Sequence, residues 1–149
     1  MYGEKDMKKY AWIVGVIIIF GLAFYCSNMK KKVDAEQQKI EKLCRRSASN
    51  ALEEFEEYVK TGEECYYQYG VGEFRCFIQS YQYMKDDVDT EYLYCNEAYG
   101  QMVLNSEKVK ENMPKLIDAL QYLAKDYSDA NGYHRMQSFN NSVMYEDLE

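Results

Sequence analysis

Residues 10–29 read YAWIVGVIIIFGLAFYCSNM, and this stretch decides how the rest of the chain is organised. All of its positions are uncharged. A helix of this length spans about 30 Å, which matches the hydrocarbon core of a bilayer. Lysines flank the stretch on both sides: Lys8, Lys9, Lys30, Lys31 and Lys32. The sequence therefore predicts one transmembrane helix over 10–29, with a short tail over 1–9 before it.

The centre of this stretch supplies the side chains expected to face lipid. They are Trp12, Ile17, Ile18, Ile19, Phe20 and Leu22. A cleaved signal peptide needs small residues before the cut, and Tyr25 is too large for that role. A lipoprotein signal ending at Cys26 departs from its pattern at the same tyrosine. Lipidation of Cys26 nevertheless stays open as an alternative.

Two signals disagree about the orientation of this segment. Residues 30–46 hold seven basic and three acidic residues, and a literal positive-inside count places that side in the cytoplasm. A short basic N-terminus before an apolar run is instead typical of an uncleaved signal anchor. An even number of cysteines beyond the membrane is typical of an oxidising compartment. We therefore expect the C-terminal domain to be extracytoplasmic.

Charge divides the chain into unlike parts. The net charge of the whole is -7, and residues 47–149 hold 20 acidic and 8 basic residues. This balance excludes nucleic acid as a partner by charge. The basic stretch after the span is expected to lie at the lipid headgroups, so the bilayer itself is one predicted partner.

Apolar residues beyond the membrane recur with helical period. The clearest run includes Ala48, Ala51, Leu52 and Phe55, and Thr61-Gly62 ends it with a stop signal. Later stripes of the same kind predict three or four further helices. The predicted fold is all-α: a transmembrane helix followed by a small antiparallel bundle of four to five helices. The predicted segments are 10–29 for the membrane helix, 30–61 for a basic stalk and first bundle helix, 62–146 for the remaining domain and 147–149 for a frayed tail.

Residues 62–73, GEECYYQYGVGE, are the least helical part of the domain by composition. Two glycines flank Val71, and glycine is unfavourable inside a helix. The segment is therefore expected to form either a short β-hairpin or an irregular loop that leads into the second helix.

Four cysteines lie beyond the membrane: Cys44, Cys65, Cys76 and Cys95. Their spacing lacks the close pairs of a structural zinc site. For a domain outside the cell the sequence favours two disulfides, Cys65–Cys76 and Cys44–Cys95, and for a cytosolic domain four buried thiols.

The sequence shows no motif for catalysis, and we expect neither an enzyme nor a bound metal or cofactor. The single histidine offers no base for a cysteine nucleophile. Tyrosine is the remaining signal, with 16 in the chain. Six tyrosines between the predicted stripes are expected to be partly exposed and to form a partner surface. They are Tyr66, Tyr67, Tyr69, Tyr83, Tyr92 and Tyr94.

These features predict a single-pass membrane protein that acts by protein–protein contact, as an accessory or assembly component of a cell-envelope complex. The alternative is an extracytoplasmic sensor that binds a ligand in an aromatic-lined pocket between helices.

Overall fold

The computed structural model describes residues 3–84 and 89–145, and every regular element in these ranges is a helix. The predicted tail over 147–149 lies outside the described residues. Six helices follow one another along the described chain: α1 (Gly3–Thr61), α2 (Glu64–Met84), α3 (Thr90–Leu104), α4 (Ser106–Glu111), α5 (Met113–Lys125) and α6 (Ala130–Tyr145). The all-α prediction is thereby confirmed. The short α4 is a segment that the sequence pattern does not separate from its neighbours.

Contacts within the chain divide it into two units, Met1–Gln38 and Lys39–Glu149. The boundary falls inside the segment 30–61, which is predicted to form the stalk and the first bundle helix. Helix α1 contributes residues to both units. We call the second unit the helical domain.

The first unit contains the apolar part of α1. This part is long and apolar enough to cross a membrane by length and composition, and none of its described window is buried. Trp12 and Phe20, for example, are exposed.

The helical domain begins with the C-terminal part of α1, where Cys44, Ala48, Ala51 and Phe55 are buried. Helix α1 ends at Thr61. Gly62 follows in the left-handed region, with φ 72°, and its backbone N–H donates to the Tyr58 carbonyl oxygen at 2.8 Å. Glycine adopts this conformation without a steric cost, so the chain can reverse here into α2.

The prediction of a hairpin or loop over 62–73 is wrong beyond the turn itself, because α2 begins at Glu64. Packing accounts for the difference. Gly70 lies against the Phe55 ring, where an added Cβ would be 2.6 Å from Cε1. This glycine therefore permits close approach of α1 and α2 rather than breaking the helix. Tertiary contacts override the weak helix propensity of the segment.

The later helices are held by caps and by one buried amide. Asp89 caps α3, because its side chain accepts from the Tyr92 backbone N–H at 2.8 Å. Asn140 on α6 is fully buried, and its Nδ2 donates to the Tyr94 carbonyl oxygen at 2.9 Å. The same Nδ2 donates to Glu97 Oε2 at 2.9 Å. Since a buried amide is costly without partners, these bonds fix α6 on α3.

Candidate interaction surface

Helix α2 has two distinct faces. The inner face is buried in the helical domain and comprises Tyr67, Gly70, Phe74, Phe77, Ile78, Ser80 and Tyr81. The opposite face carries six exposed residues at successive spacings of four, three, four, three and four. We call these residues the outer stripe: Cys65, Tyr69, Gly72, Cys76, Gln79 and Tyr83. Such spacing keeps side chains on one side of a helix along its whole length.

Contacts on the inner face fix the direction in which the outer stripe points. The Tyr67 hydroxyl donates to the Met102 carbonyl oxygen at 2.8 Å. Its ring lies under the Lys110 ammonium, which is 5.1 Å from the ring centroid. Lys110 also forms an ion pair with Glu64 at 2.9 Å. Desolvation by burial raises the pKa of the Tyr67 hydroxyl well above its usual value, so the group stays a neutral donor.

All six residues of the outer stripe are uncharged, although the surrounding sequence is strongly acidic. Opposite charges lie on its two sides. Glu73 lies on one side, and Arg75 lies on the other with its guanidinium 5.9 Å from the centroid of the Tyr99 ring. An uncharged strip with a polar rim resembles the general composition of protein interfaces, in which charged residues are depleted at the centre.

A groove between α1 and α2 adjoins the outer stripe. Its volume is about 280 Å³. Its lining comprises Leu43, Arg46, Ser47, Asn50, Glu73, Cys76 and Gln79. Leu43 is half exposed, with 51% of its surface accessible, and offers an apolar wall beside Cys76. The groove therefore widens the surface available to a partner that approaches α2.

The structure separates the six tyrosines that the sequence places at a partner surface. Tyr69 and Tyr83 are exposed, at 62% and 81%, and both belong to the outer stripe. Tyr66, Tyr92 and Tyr94 are half-buried. Tyr67 is 1% exposed, so its expected exposure is wrong: helical geometry turns it into the core, away from Tyr69.

The disulfide predictions are also corrected, because all five cysteines are free thiols. Cys65 and Cys76 lie eleven residues apart on one helix, which separates them by about 16.5 Å along its axis. A disulfide needs Cα atoms within about 7 Å, so these two cannot pair within one chain. Cys44 and Cys95 are buried in the core as thiols, and desolvation raises the pKa of Cys44 to about 12.

The sequence pattern does not identify four members of the outer stripe as parts of a surface: Cys65, Gly72, Cys76 and Gln79. These residues are small or polar, so they add nothing to an apolar periodicity. The available signal was the regular spacing that links them to Tyr69 and Tyr83, and it becomes visible once α2 is known to begin at Glu64.

Within the described ranges, no group of three or more His, Cys, Asp or Glu side chains is placed to hold a metal ion. Comparisons of the chain find no matching family model, curated protein or solved structure. The fold and the surface define a class of chain: an all-helical bundle, joined by its first helix to an apolar segment long enough to cross a membrane.

Proposed function

We propose that this chain is a single-pass membrane protein whose helical domain binds a protein partner through the outer stripe of α2. The membrane helix over 10–29 anchors the chain, and the lysines that flank it lie at the headgroups. The protein serves as an accessory or assembly component of a cell-envelope complex. The single observation that carries the proposal is an uncharged, regularly spaced stripe that the chain's own core leaves exposed.

The chemistry of the stripe supports a protein partner. Tyr69 and Tyr83 each offer a large ring with few rotatable bonds, so ordering them on binding costs little conformational entropy. At many interfaces a few aromatic residues of this kind contribute most of the binding energy. Gly72 lies between them, and a Cβ added there would meet no atom within 4 Å. A partner side chain can therefore approach the helix backbone at this point.

The size of the adjoining groove favours protein contact over a ligand-binding sensor. Pockets for small molecules are typically about 300–1,000 Å³ and bury most of the ligand. The groove between α1 and α2 has about 280 Å³, and four of its seven lining residues are exposed: Leu43, Arg46, Cys76 and Gln79. It suits the side chains of a docked helix better than an enclosed ligand.

The proposed orientation keeps the helical domain outside the cytoplasm, as a signal anchor would place it. The cysteines no longer support this orientation, because the structure contains free thiols in place of the expected disulfides. The proposed orientation now depends on the short basic N-terminus before the apolar run.

Site-specific photo-cross-linking tests the contact surface in the full-length chain. The photoreactive residue p-benzoylphenylalanine replaces Tyr69 or Tyr83 and, as the matched control, Gln121, which is exposed on α5. We expect irradiation of whole cells to yield a discrete protein adduct from the two stripe positions and none from the control. Adducts that form equally at all three positions, or at none, would contradict the proposal.

A further inference from the structure

We propose that the groove between α1 and α2 is a modification site, at which Cys76 forms a mixed disulfide with one cysteine molecule delivered as cystine. The ligand class is a small zwitterionic disulfide, of which cystine is the simplest. The inference goes beyond the proposed function and needs no protein partner. It follows from a thiol, two opposite charges and a buried hydroxyl that line one groove.

Cys76 supplies an accessible sulfur inside the groove. It is an exposed free thiol on α2 and lines the volume of about 280 Å³. This volume lies just below the range of about 300–1,000 Å³ typical of drug-sized ligands, and one amino acid is smaller than these. Because the attachment is covalent, a groove that is open to solvent is sufficient to keep the ligand in place.

The two walls of the groove offer a cation and an anion that the fold leaves without partners. Arg46 lies on the α1 wall and Glu73 on the α2 wall. In the part of the chain that the structure describes, neither side chain forms an ion pair, whereas the adjacent Arg45 pairs with Glu41 at 3.0 Å. The α-carboxylate of an attached cysteine can accept two hydrogen bonds from the Arg46 guanidinium, and its α-ammonium can donate to the Glu73 carboxylate.

Ser47 is independent evidence that the groove receives a polar ligand. It lines the groove, although only 3% of the residue is exposed. Among the described residues its hydroxyl has no hydrogen-bond partner, whereas the similarly buried Ser80 donates to the Cys76 carbonyl oxygen at 2.8 Å. Because a buried hydroxyl without a partner is costly, a ligand carboxylate at this place would supply the missing bond.

Helical spacing gathers these groups near the sulfur. Glu73 and Cys76 are three residues apart on α2, and Arg46 and Asn50 are four apart on α1. Residues at these spacings are neighbours on one helix face, with Cβ atoms about 5–6 Å apart. Both charged groups of cysteine are attached to the carbon next to its CH₂–S group, so they stay close to the sulfur. Two charges on the groove walls therefore match two charges on the ligand.

The reaction is thiol–disulfide exchange. The Cys76 thiolate attacks one sulfur of cystine, the S–S bond of cystine breaks, and a new S–S bond joins Cys76 to one cysteine. The second cysteine leaves as a thiolate and takes up the proton that Cys76 lost. Cystine is thus the oxidant, and the oxidising compartments outside the cytoplasm are where disulfides persist.

Rates of modification test the site in the full-length chain, dispersed in mild detergent after its thiols have been reduced and the reductant removed. Two reagents are compared: cystine and the uncharged bis(2-hydroxyethyl) disulfide. Mass spectrometry follows Cys76 and, as the internal control, Cys65, which is an exposed thiol on the same helix but does not line the groove. The ratio of the cystine rate to the uncharged-disulfide rate cancels the intrinsic reactivity of each thiol.

We expect this ratio to be about tenfold higher at Cys76 than at Cys65, because two exposed ion pairs contribute about threefold each. Arg46→Gln and Glu73→Gln should each lower the Cys76 ratio about threefold. Ser47→Ala should lower it as well, by removing the buried donor. The matched control Arg45→Gln, an exposed arginine outside the groove, should leave the ratio unchanged. Circular dichroism verifies that each variant keeps its helices.

Other outcomes overturn the inference. Equal ratios at Cys76 and Cys65, or a Cys76 ratio that stays the same in Arg46→Gln and Glu73→Gln, would refute the site. A Cys76 ratio that falls as much in Arg45→Gln as in Arg46→Gln would show general attraction by charge and would also refute it. Each of these failures leaves the proposed function standing, because cross-linking at Tyr69 and Tyr83 tests that proposal separately.

Discussion

Two glycines separated by one residue on α2 should respond to alanine in opposite ways. At Gly70 an added Cβ would lie 2.6 Å from Cε1 and 2.7 Å from Cδ1 of Phe55, a ring with no exposed surface. Overpacking of this kind costs about 1–3 kcal/mol. At Gly72 nothing lies within 4 Å of the new Cβ. Both substitutions gain about 0.5–1 kcal/mol from the better helix propensity of alanine.

Gly70→Ala should therefore destabilise the helical domain by about 0.5–2 kcal/mol. Gly72→Ala should stabilise it by about 0.5–1 kcal/mol. Each variant serves as the control for the other, because the residue change and the helix are the same. Their difference isolates the contact with Phe55 at about 1–3 kcal/mol.

The assay is unfolding of the full-length chain by urea in mild detergent, followed by far-ultraviolet circular dichroism. The midpoint should move to lower urea for Gly70→Ala and to higher urea for Gly72→Ala, with similar slopes. If Gly70→Ala proved as stable as Gly72→Ala, the close packing of α1 on α2 would be refuted. The placement of the outer stripe on the opposite face of α2 would then lose its basis.

Three further results are expected. Asn140→Ala should lower the free energy of unfolding by about 1–3 kcal/mol in the same urea assay, because it removes the buried amide that bonds to Tyr94 and Glu97; an unchanged midpoint would contradict this role. The free energy of unfolding should fall as pH rises from about 9 to about 12. Burial raises the pKa of Cys44 from 9.0 to about 12, so the unfolded chain loses the thiol proton at a lower pH than the folded chain does. A urea midpoint that stayed constant across that range would contradict this linkage. A membrane-impermeant maleimide should label a cysteine introduced by Gln121→Cys, an exposed position on α5 outside the outer stripe, in intact cells without reductant; labelling only after lysis would place the helical domain in the cytoplasm.

Apolar periodicity was sufficient to predict most of the fold. The run that includes Ala48, Ala51 and Phe55 lies in the core as expected, because a helix that packs on one side must repeat apolar residues at its own period. Pro114 lies in the first turn of α5, where its missing N–H is tolerated. These signals are local, so a single sequence contains them.

Long-range contacts explain what the sequence could not show. Gly70 looks like a helix breaker in isolation, and only the position of Phe55 gives it a packing role. The interpretation of residues 62–73 as irregular also concealed that Tyr67 points into the core, where its hydroxyl donates to the Met102 carbonyl oxygen 35 residues away. Once residues 62–73 were interpreted as irregular, the regular spacing from Cys65 to Tyr83 had no helix on which to lie.

The outer stripe shows why the candidate surface was only partly predictable. Tyrosine composition pointed to Tyr69 and Tyr83, since exposed aromatic residues are enriched at interfaces. Cys65, Gly72, Cys76 and Gln79 share no such composition. They are united by position alone, on the face that the bundle leaves open.

The most direct measurement of the central claim is the alkylation rate of Cys76 by N-ethylmaleimide in native membranes, read by mass spectrometry. An occupied stripe should slow this rate at least about tenfold relative to the same chain dispersed in detergent, as expected for occupancy of about 90% or more. A cysteine introduced by Gln121→Cys should react equally fast in both. If Cys76 reacted in membranes as fast as in the dispersed chain, the outer stripe would be unoccupied and the proposed contact surface would be wrong.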